Sequence, residues 1–188
     1  MRIIAGRLKG RRLRSPTWPG LRPSSDRLRE TLFNILSDRV LGALVLDACA
    51  GTGAIGFEAL SRGAQAVTFV DQDQRAVALI AEHAARFGVA NRCEIVCGAM
   101  PSVIADGSDA RFHLILLDPP YDDPRIGAIL SAVGGRLAQE GLLVLEGARR
   151  SSAPTVAGLE AVRRVVSGGS TLDFYRATAA VVGPEYGT

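Results

Sequence analysis

Four residues in the second half of the chain, Asp118-Pro119-Pro120-Tyr121, have the types and spacing to do chemistry on a flat amine. A residue before proline is pushed toward extended backbone, and this applies to both Asp118 and Pro119, so the turn is stiff. A stiff turn holds a carboxylate, a bare backbone carbonyl and an aromatic ring in fixed relation. The two oxygens suit the N–H bonds of an exocyclic amine, and the ring suits the face of a planar base. The same turn can also serve only to end a strand, with Asp118 as a cap and Tyr121 packed. What lies beside it decides.

A second group stands upstream. Gly51-Thr52-Gly53-Ala54-Ile55-Gly56 follows the G-x-G-x-x-G pattern between a predicted strand and a predicted helix, and Asp71 lies twenty residues after Gly51. Such a loop lets backbone approach a nucleotide cofactor closely, and by itself does not separate a dinucleotide from S-adenosylmethionine. Asp47, four residues before the first glycine, suits the ammonium at the amino-acid end of S-adenosylmethionine better than it suits a pyrophosphate. Asp71 is placed to accept from both ribose hydroxyls. Asp47 can also be a loop or N-cap hydrogen-bonder, and Asp71 a solvated strand end.

These residues need a scaffold, and the chain supplies an alternation of strands and helices. Leu44–Asp47, Ala66–Asp71, Cys93–Cys97, Arg111–Leu117 and Gly141–Glu146 read as strands. Helices are predicted over Ala54–Ser61, Asp73–Phe87, Ala99–Ile104 and Pro124–Ala138. The pattern implies an α/β fold with a mostly parallel sheet covered on both faces. In such a sheet Asp47, Asp71 and Asp118 all fall at the carboxyl edge, where ligands bind. Ala161–Ser167 and Ser170–Ala177 flank Gly168-Gly169 and read as an edge hairpin.

At 188 residues the chain has room for one full core. No stretch reaches about 18 consecutive apolar residues, and the amino terminus is basic without a signal-peptide core, so a cytoplasmic protein with no membrane partner is expected. Three cysteines agree: Cys93 and Cys97 sit roughly 13 Å apart on one strand and Cys49 stands alone. Two distant histidines and no CxxC pair argue against a metal site or a Ser/His/Asp hydrolase.

Charge is asymmetric. Residues 1–30 carry nine basic side chains against two acidic ones, a balance of +7, so with a total of +3 the rest of the chain stands at −4. A basic arm on an acidic body is the pattern of a polyanion binder. Residues 2–14 read as a short hairpin with basic residues exposed, residues 15–23 as a loop containing Trp18, and Ser24 or Ser25 as the N-cap of a helix reaching about Asp38. Leu28, Leu32, Ile35 and Leu36 form its expected apolar stripe, leaving Arg27 and Arg29 to face a nucleic-acid backbone. The expected division is an arm and helix over 1–40, a core over 41–182 and a tail over 183–188.

Asp47-Ala48-Cys49-Ala50-Gly51-Thr52-Gly53 resembles the first motif of class I S-adenosylmethionine-dependent methyltransferases, which have a Rossmann-like fold. Asp118-Pro119-Pro120-Tyr121 resembles the D/N-P-P-Y/F motif of those that methylate exocyclic amines. More narrowly, Met1–Gly6, Lys9-Gly10-Arg11 and Arg22–Leu36 resemble the RsmD family, bacterial methyltransferases of a guanine N2 in 16S ribosomal RNA; the likeness covers roughly residues 1–178. It implies a seven-stranded sheet with the last strand antiparallel, S-adenosylmethionine held by Asp47, Ala50, Gly51, Thr52, Gly53, Asp71, Gln72, Gly98 and Ala99, and catalysis by Asp118 to Tyr121. Asp118 and Pro119 would orient the amine, Pro120 fix the turn and Tyr121 stack on the base. The amine's proton would leave to Asp118 or directly to water. Phosphates would be held by Arg7, Lys9, Arg11, Arg12, Arg14, Arg22, Arg27 and Arg29. The family likeness further implies a monomer acting on the small ribosomal subunit. One departure stands out: Gly98 occupies the place where the family usually has an Asp or Asn for the adenine amino group.

Other functions share parts of this pattern. A methyltransferase of DNA adenine N6 or of protein glutamine uses related tetrapeptides, although 188 residues leave no room for a separate DNA-reading domain. An NAD-dependent oxidoreductase uses the same glycine loop and leaves the tetrapeptide and the arm unexplained. A non-catalytic RNA-binding module would keep the arm alone.

Overall fold

The computed structural model describes residues 1–14, 25–105 and 111–178. Arg22, Trp18, the possible cap Ser24 and the tail from residue 183 lie outside them. Among the described residues seven strands form one sheet: β1 (Leu44–Ala48), β2 (Ala66–Asp71), β3 (Cys93–Cys97), β4 (Phe112–Leu117), β5 (Leu137–Ala148), β6 (Leu159–Ser167) and β7 (Ser170–Ala177). Their order is β3-β2-β1-β4-β5-β7-β6, with β1 to β5 parallel and β7 antiparallel to both β5 and β6. This is the seven-stranded sheet with an antiparallel last strand that the class I methyltransferase resemblance implies.

Strand alternation sends side chains to two cores, one on each face. Val45, Leu114, Leu116 and Val144 pack with Phe33, Phe57, Phe69 and Ile80 on one side, where α1 (Asp26–Leu36), α2 (Ala54–Ser61) and α3 (Gln74–Phe87) lie. Leu46, Ile115, Leu117 and Leu143 pack with Met100, Ile129 and Leu130 on the other, beneath α4 (Ser102–Ala105) and α5 (Ile126–Gly134). Among the described residues no helix is long and apolar enough to cross a membrane.

Two boundaries differ from expectation for local reasons. α4 begins only after Pro101, whose ring removes a backbone donor and suits a helix start. α5 stops at Gly134, before Gly135, and the chain then extends, so β5 begins at Leu137, opposite Phe112, four residues earlier than Gly141. The amino-terminal segment turns back through a single antiparallel bridge, Arg2 to Arg12, rather than through a pair of strands. Ile3 N–H donates to the Arg11 carbonyl and Leu13 N–H to that of Met1, and both Ile3 and Leu13 are buried in the α1–α3 core.

Glu58 of α2 ties this arm down. Its carboxylate accepts the backbone N–H groups of Ile4 at 2.8 Å and Ala5 at 3.0 Å, and it pairs with Arg62 at 2.8 Å and with Arg29 at 3.6 Å. Ser61 accepts from Leu8 N–H through its hydroxyl and from Arg7 N–H through its carbonyl. Gly6 passes so close that a Cβ there would sit 1.9 Å from the Ser61 oxygen.

Arg29 corrects the expectation of a phosphate contact. It is 0% exposed, donates to the Arg2 carbonyl at 3.0 Å and pairs with Asp26 at 2.6 Å. The buried stripe of α1 includes Arg29, Leu32, Phe33 and Leu36, an i, i+3, i+4, i+7 series that carries the arginine inward. Arg29→Ala should therefore remove the donor from the Arg2 carbonyl, one of the two cations beside buried Glu58 and the packing of a fully buried side chain, and lower stability by about 3–5 kcal/mol, read by urea denaturation.

Candidate active site

Strand order reverses between β1 and β4, and a cleft of about 810 Å³ opens at their carboxyl edge. Register builds it. Ala48 pairs with Leu117, so the glycine loop leaving β1 and the Asp118 turn leaving β4 start side by side, and Asp118 N–H reaches the Ala48 carbonyl at 3.4 Å. β7 runs antiparallel, so its first residue, Ser170, and the Gly168-Gly169 turn join the same edge.

The glycine loop requires left-handed backbone at Cys49 (φ 61°), Gly51 (φ 56°) and Gly53 (φ 74°). Two acids hold it from beneath. Asp47, 1% exposed, accepts from Gly56 N–H in the first turn of α2 at 2.8 Å. Asp71 accepts from Gly51 N–H at 2.7 Å through one oxygen and from Asp73 N–H at 2.9 Å through the other. The loop-bonding role left open for Asp47 is thus present, and Asp71 has a structural bond that its strand-end position alone did not disclose. Both side chains still line the cleft.

Ala50, Gly51, Thr52, Gln72 and Gly98 line the cleft as well, whereas Gly53 shapes the start of α2 and Ala99 is exposed outside the lining. Gly98 gives its N–H to the Asp71 carbonyl at 3.0 Å, and a Cβ there would lie 2.7 Å from the Val103 side chain. The missing acid therefore coincides with a place where Val103 leaves no room for one. Met100, Val70 and Ile129 supply apolar surface nearby.

Asp118, Pro119, Pro120 and Tyr121 all line the cleft. Tyr121 is 36% exposed, and its hydroxyl donates to Glu146 at 3.2 Å and lies 2.9 Å from the Ser170 hydroxyl. Arg27 is exposed at the cleft, and Arg7, Lys9, Arg11, Arg12 and Arg14 are exposed on the arm, Arg14 pairing with Glu82 at 2.8 Å.

Negative charge dominates this cleft: Asp47, Asp71, Asp73, Asp118, Asp122, Asp123 and Glu146 line it against Arg27 and Arg125, and Arg125 is paired with Asp123 at 2.7 Å. Burial is the main force raising the Asp47 carboxyl well above its usual range, opposed by the Gly56 N–H and reinforced by the charges of Asp118 and Asp71. The Cys49 thiol is pushed up to about 12, first by burial and then by Asp71, Asp118, Asp47 and Asp123. Among the described residues no three His, Cys, Asp or Glu side chains are grouped to hold a metal ion.

Sequence reasoning missed Glu146, Cys49, Met100 and the Ser167–Ser170 turn. Glu146 had a signal: it closes the apolar run of β5 as Asp47, Asp71 and Asp118 close theirs. The turn had none, because only the antiparallel path of β7 brings it to this edge.

The chain matches the model of the family described as Conserved hypothetical protein 95 over residues 1–176. It is 35% identical over 158 residues to Ribosomal RNA small subunit methyltransferase D of Escherichia coli strain K12, covering 83% of this chain and 79% of that protein. The solved structure of Escherichia coli yhhF superimposes with a TM-score of 0.83 at 32% identity, covering 95% of this chain and 98% of that one. The hypothetical protein TTHA0928 of Thermus thermophilus gives 0.77 at 30% identity, covering 94% and 99%.

Gly56 carries a demand that a substitution can test. A Cβ there would meet the Phe69 ring at 2.2 Å and the Asp47 carboxylate at 2.9 Å. Gly56→Ala should cost about 1–3 kcal/mol by overpacking, or more if Phe69 cannot retreat, as measured by urea unfolding.

Proposed function

This chain belongs to the Conserved hypothetical protein 95 family, the RsmD family of the resemblance drawn above, and we propose that it transfers a methyl group from S-adenosylmethionine to the N2 amine of a guanine in 16S ribosomal RNA. The observation that carries the cofactor is the acidic cleft around the glycine loop. S-adenosylmethionine brings two cationic groups, an ammonium and a sulfonium, which the excess of acidic side chains in this cleft favours; the pyrophosphate of NAD would meet that excess as like charge. The substrate class rests on the family, whose Escherichia coli relative is named for the small-subunit ribosomal RNA.

In this reading Asp47 pairs with the ammonium, while backbone of Ala50 to Gly53 lies along the ligand. Asp71 and Gln72 face the ribose, Asp71 through acceptor capacity beyond its two structural bonds. Adenine lies by Gly98 and the backbone near Ala99, against Val70, Met100 and Ile129, with apolar contact in place of a carboxylate. The cofactor supplies a methyl group already activated toward a nucleophile, so the protein's task is to aim that nucleophile.

An exocyclic guanine amine is weakly nucleophilic because its lone pair is delocalised into the ring. Asp118 and the Pro119 carbonyl accept its two N–H bonds and let the nitrogen pyramidalise, so that the lone pair points at the methyl carbon. Pro120 fixes that geometry. Tyr121, tethered by its hydroxyl to Glu146, offers its ring to a base turned out of the helix. The unit over 1–40 grips RNA through Arg7, Lys9, Arg11, Arg12, Arg14 and Arg27, with Arg22 expected to join them; the core over 41–182 performs transfer; 183–188 is a tail. A monomer acting on the small subunit in the cytoplasm completes the reading.

Tritiated methyl transfer to 30S subunits, free 16S RNA, naked DNA and protein, followed by nucleoside and amino-acid analysis, tests this. N2-methylguanosine is the expected product; label in N6-methyladenosine or methylglutamine would redirect the substrate, and no product from any RNA would overturn the reading. Asp118→Ala should abolish transfer and leave most donor affinity, as measured by equilibrium dialysis. The triple change Arg11→Gln, Arg12→Gln, Arg14→Gln should weaken RNA binding and reduce the log–log salt slope by about 2–3; an unchanged slope would remove the arm from the interface.

A further inference from the structure

Glu146 ends the buried part of β5, is 8% exposed and lines the cleft. One carboxylate oxygen accepts from the Tyr121 hydroxyl at 3.2 Å. The other is buried and takes no N–H or O–H donor from the described residues. Asp118 and Ser170 line the same cleft beside this carboxyl, and both influence it electrostatically. Two carboxyls brought together out of water cannot both stay ionised at little cost, so the pair has a place for one proton between them.

The surroundings are consistent with that. Facing Glu146 are Asp118 beyond β4, Tyr121 in the following turn and Ser170 at the start of β7. On the inner side, Arg29 of α1 shares with it a small cavity closed by Leu28, Leu32 and Leu172. Burial first, and the Asp118 charge second, push the Glu146 carboxyl up to about 7.

We propose that Glu146, acting through Asp118, is the acceptor of the proton that the substrate amine loses on methyl transfer. This rests on the methyl-transfer reading. The nitrogen lone pair forms the new N–C bond, and the C–S bond breaks with its electrons passing to sulfur. The N–H proton held by Asp118 then moves into the carboxyl pair and rests on Glu146, leaving a neutral N-methylamine. Tyr121 and Ser170, hydrogen-bonded to each other at 2.9 Å and reaching the cleft surface, give that proton a way to water and reset the site. Glu146 is thus a positioning and relay residue behind the one that touches the amine.

An acceptor works only when deprotonated, so the rate falls as pH drops below the carboxyl pair's apparent pKa and levels off above it. Single-turnover transfer to 30S subunits by the full chain should show this limb near neutral pH. Glu146→Gln keeps an oxygen for the Tyr121 hydroxyl and removes the proton site; the rate should fall by about 100-fold, with donor affinity unchanged and the limb lost. Glu146→Asp should restore part of the rate and a displaced limb.

A second readout needs no turnover. With 13C-carboxyl glutamate, the resonance absent from Glu146→Gln should titrate near neutral pH in the wild-type protein and move toward the ordinary glutamate range in Asp118→Asn. An ordinary titration in the wild-type protein, or wild-type rate and pH profile in Glu146→Gln, would overturn the proposal while leaving the methyl-transfer reading intact. A wild-type protein silent on every RNA substrate would overturn both.

Discussion

The parallel register of β1 and β4 is the constraint on which the rest depends. Pairing Ala48 with Leu117 ends two buried strands at the same height, so an acid-supported glycine loop and a double-proline turn emerge as neighbours. A shift by one residue would send the side chains of each core to the opposite face and mismatch both cores, so apolar packing protects the site's geometry. The acids at these strand ends are then gathered around one cleft; burial first, and the neighbouring acids after it, raise the Asp47 carboxyl and the Cys49 thiol, and a cationic ligand would offset the part due to the acids.

A second polar assembly, buried behind the cleft, joins the arm to this core. Glu58 holds the Ile4 and Ala5 backbone, and Arg29 joins it to Asp26 and the Arg2 carbonyl. The consequence is a basic arm presented at a set position rather than on a tether. Ion pairs of this kind add little net stability over apolar packing, but losing one member strands the other in low dielectric, so they fix arrangement more than they strengthen it.

Much of this was legible in the sequence. The runs Ala54–Ser61, Ala66–Asp71 and Cys93–Cys97 form the elements expected of them, because periodicity and flanking glycines agree there. Asp118 and Asp47 could be placed because an acid closing an apolar run lands at a sheet edge. The rest depended on tertiary contact. Arg29 departs from expectation because a charged side chain ordinarily faces water, although its spacing from Leu32, Phe33 and Leu36 points inward. The structural bonds of Asp71 arise only when β2 meets the loop after β1. The company Glu146 keeps is set by chain crossings between elements distant in sequence.

Isothermal titration of the full chain with S-adenosylmethionine and, separately, with NAD bears most directly on the central claim that the acidic cleft is a methyl-donor site. Binding of S-adenosylmethionine at one site per chain, with no heat from NAD, is the predicted result. Binding of NAD with none of S-adenosylmethionine would contradict the account.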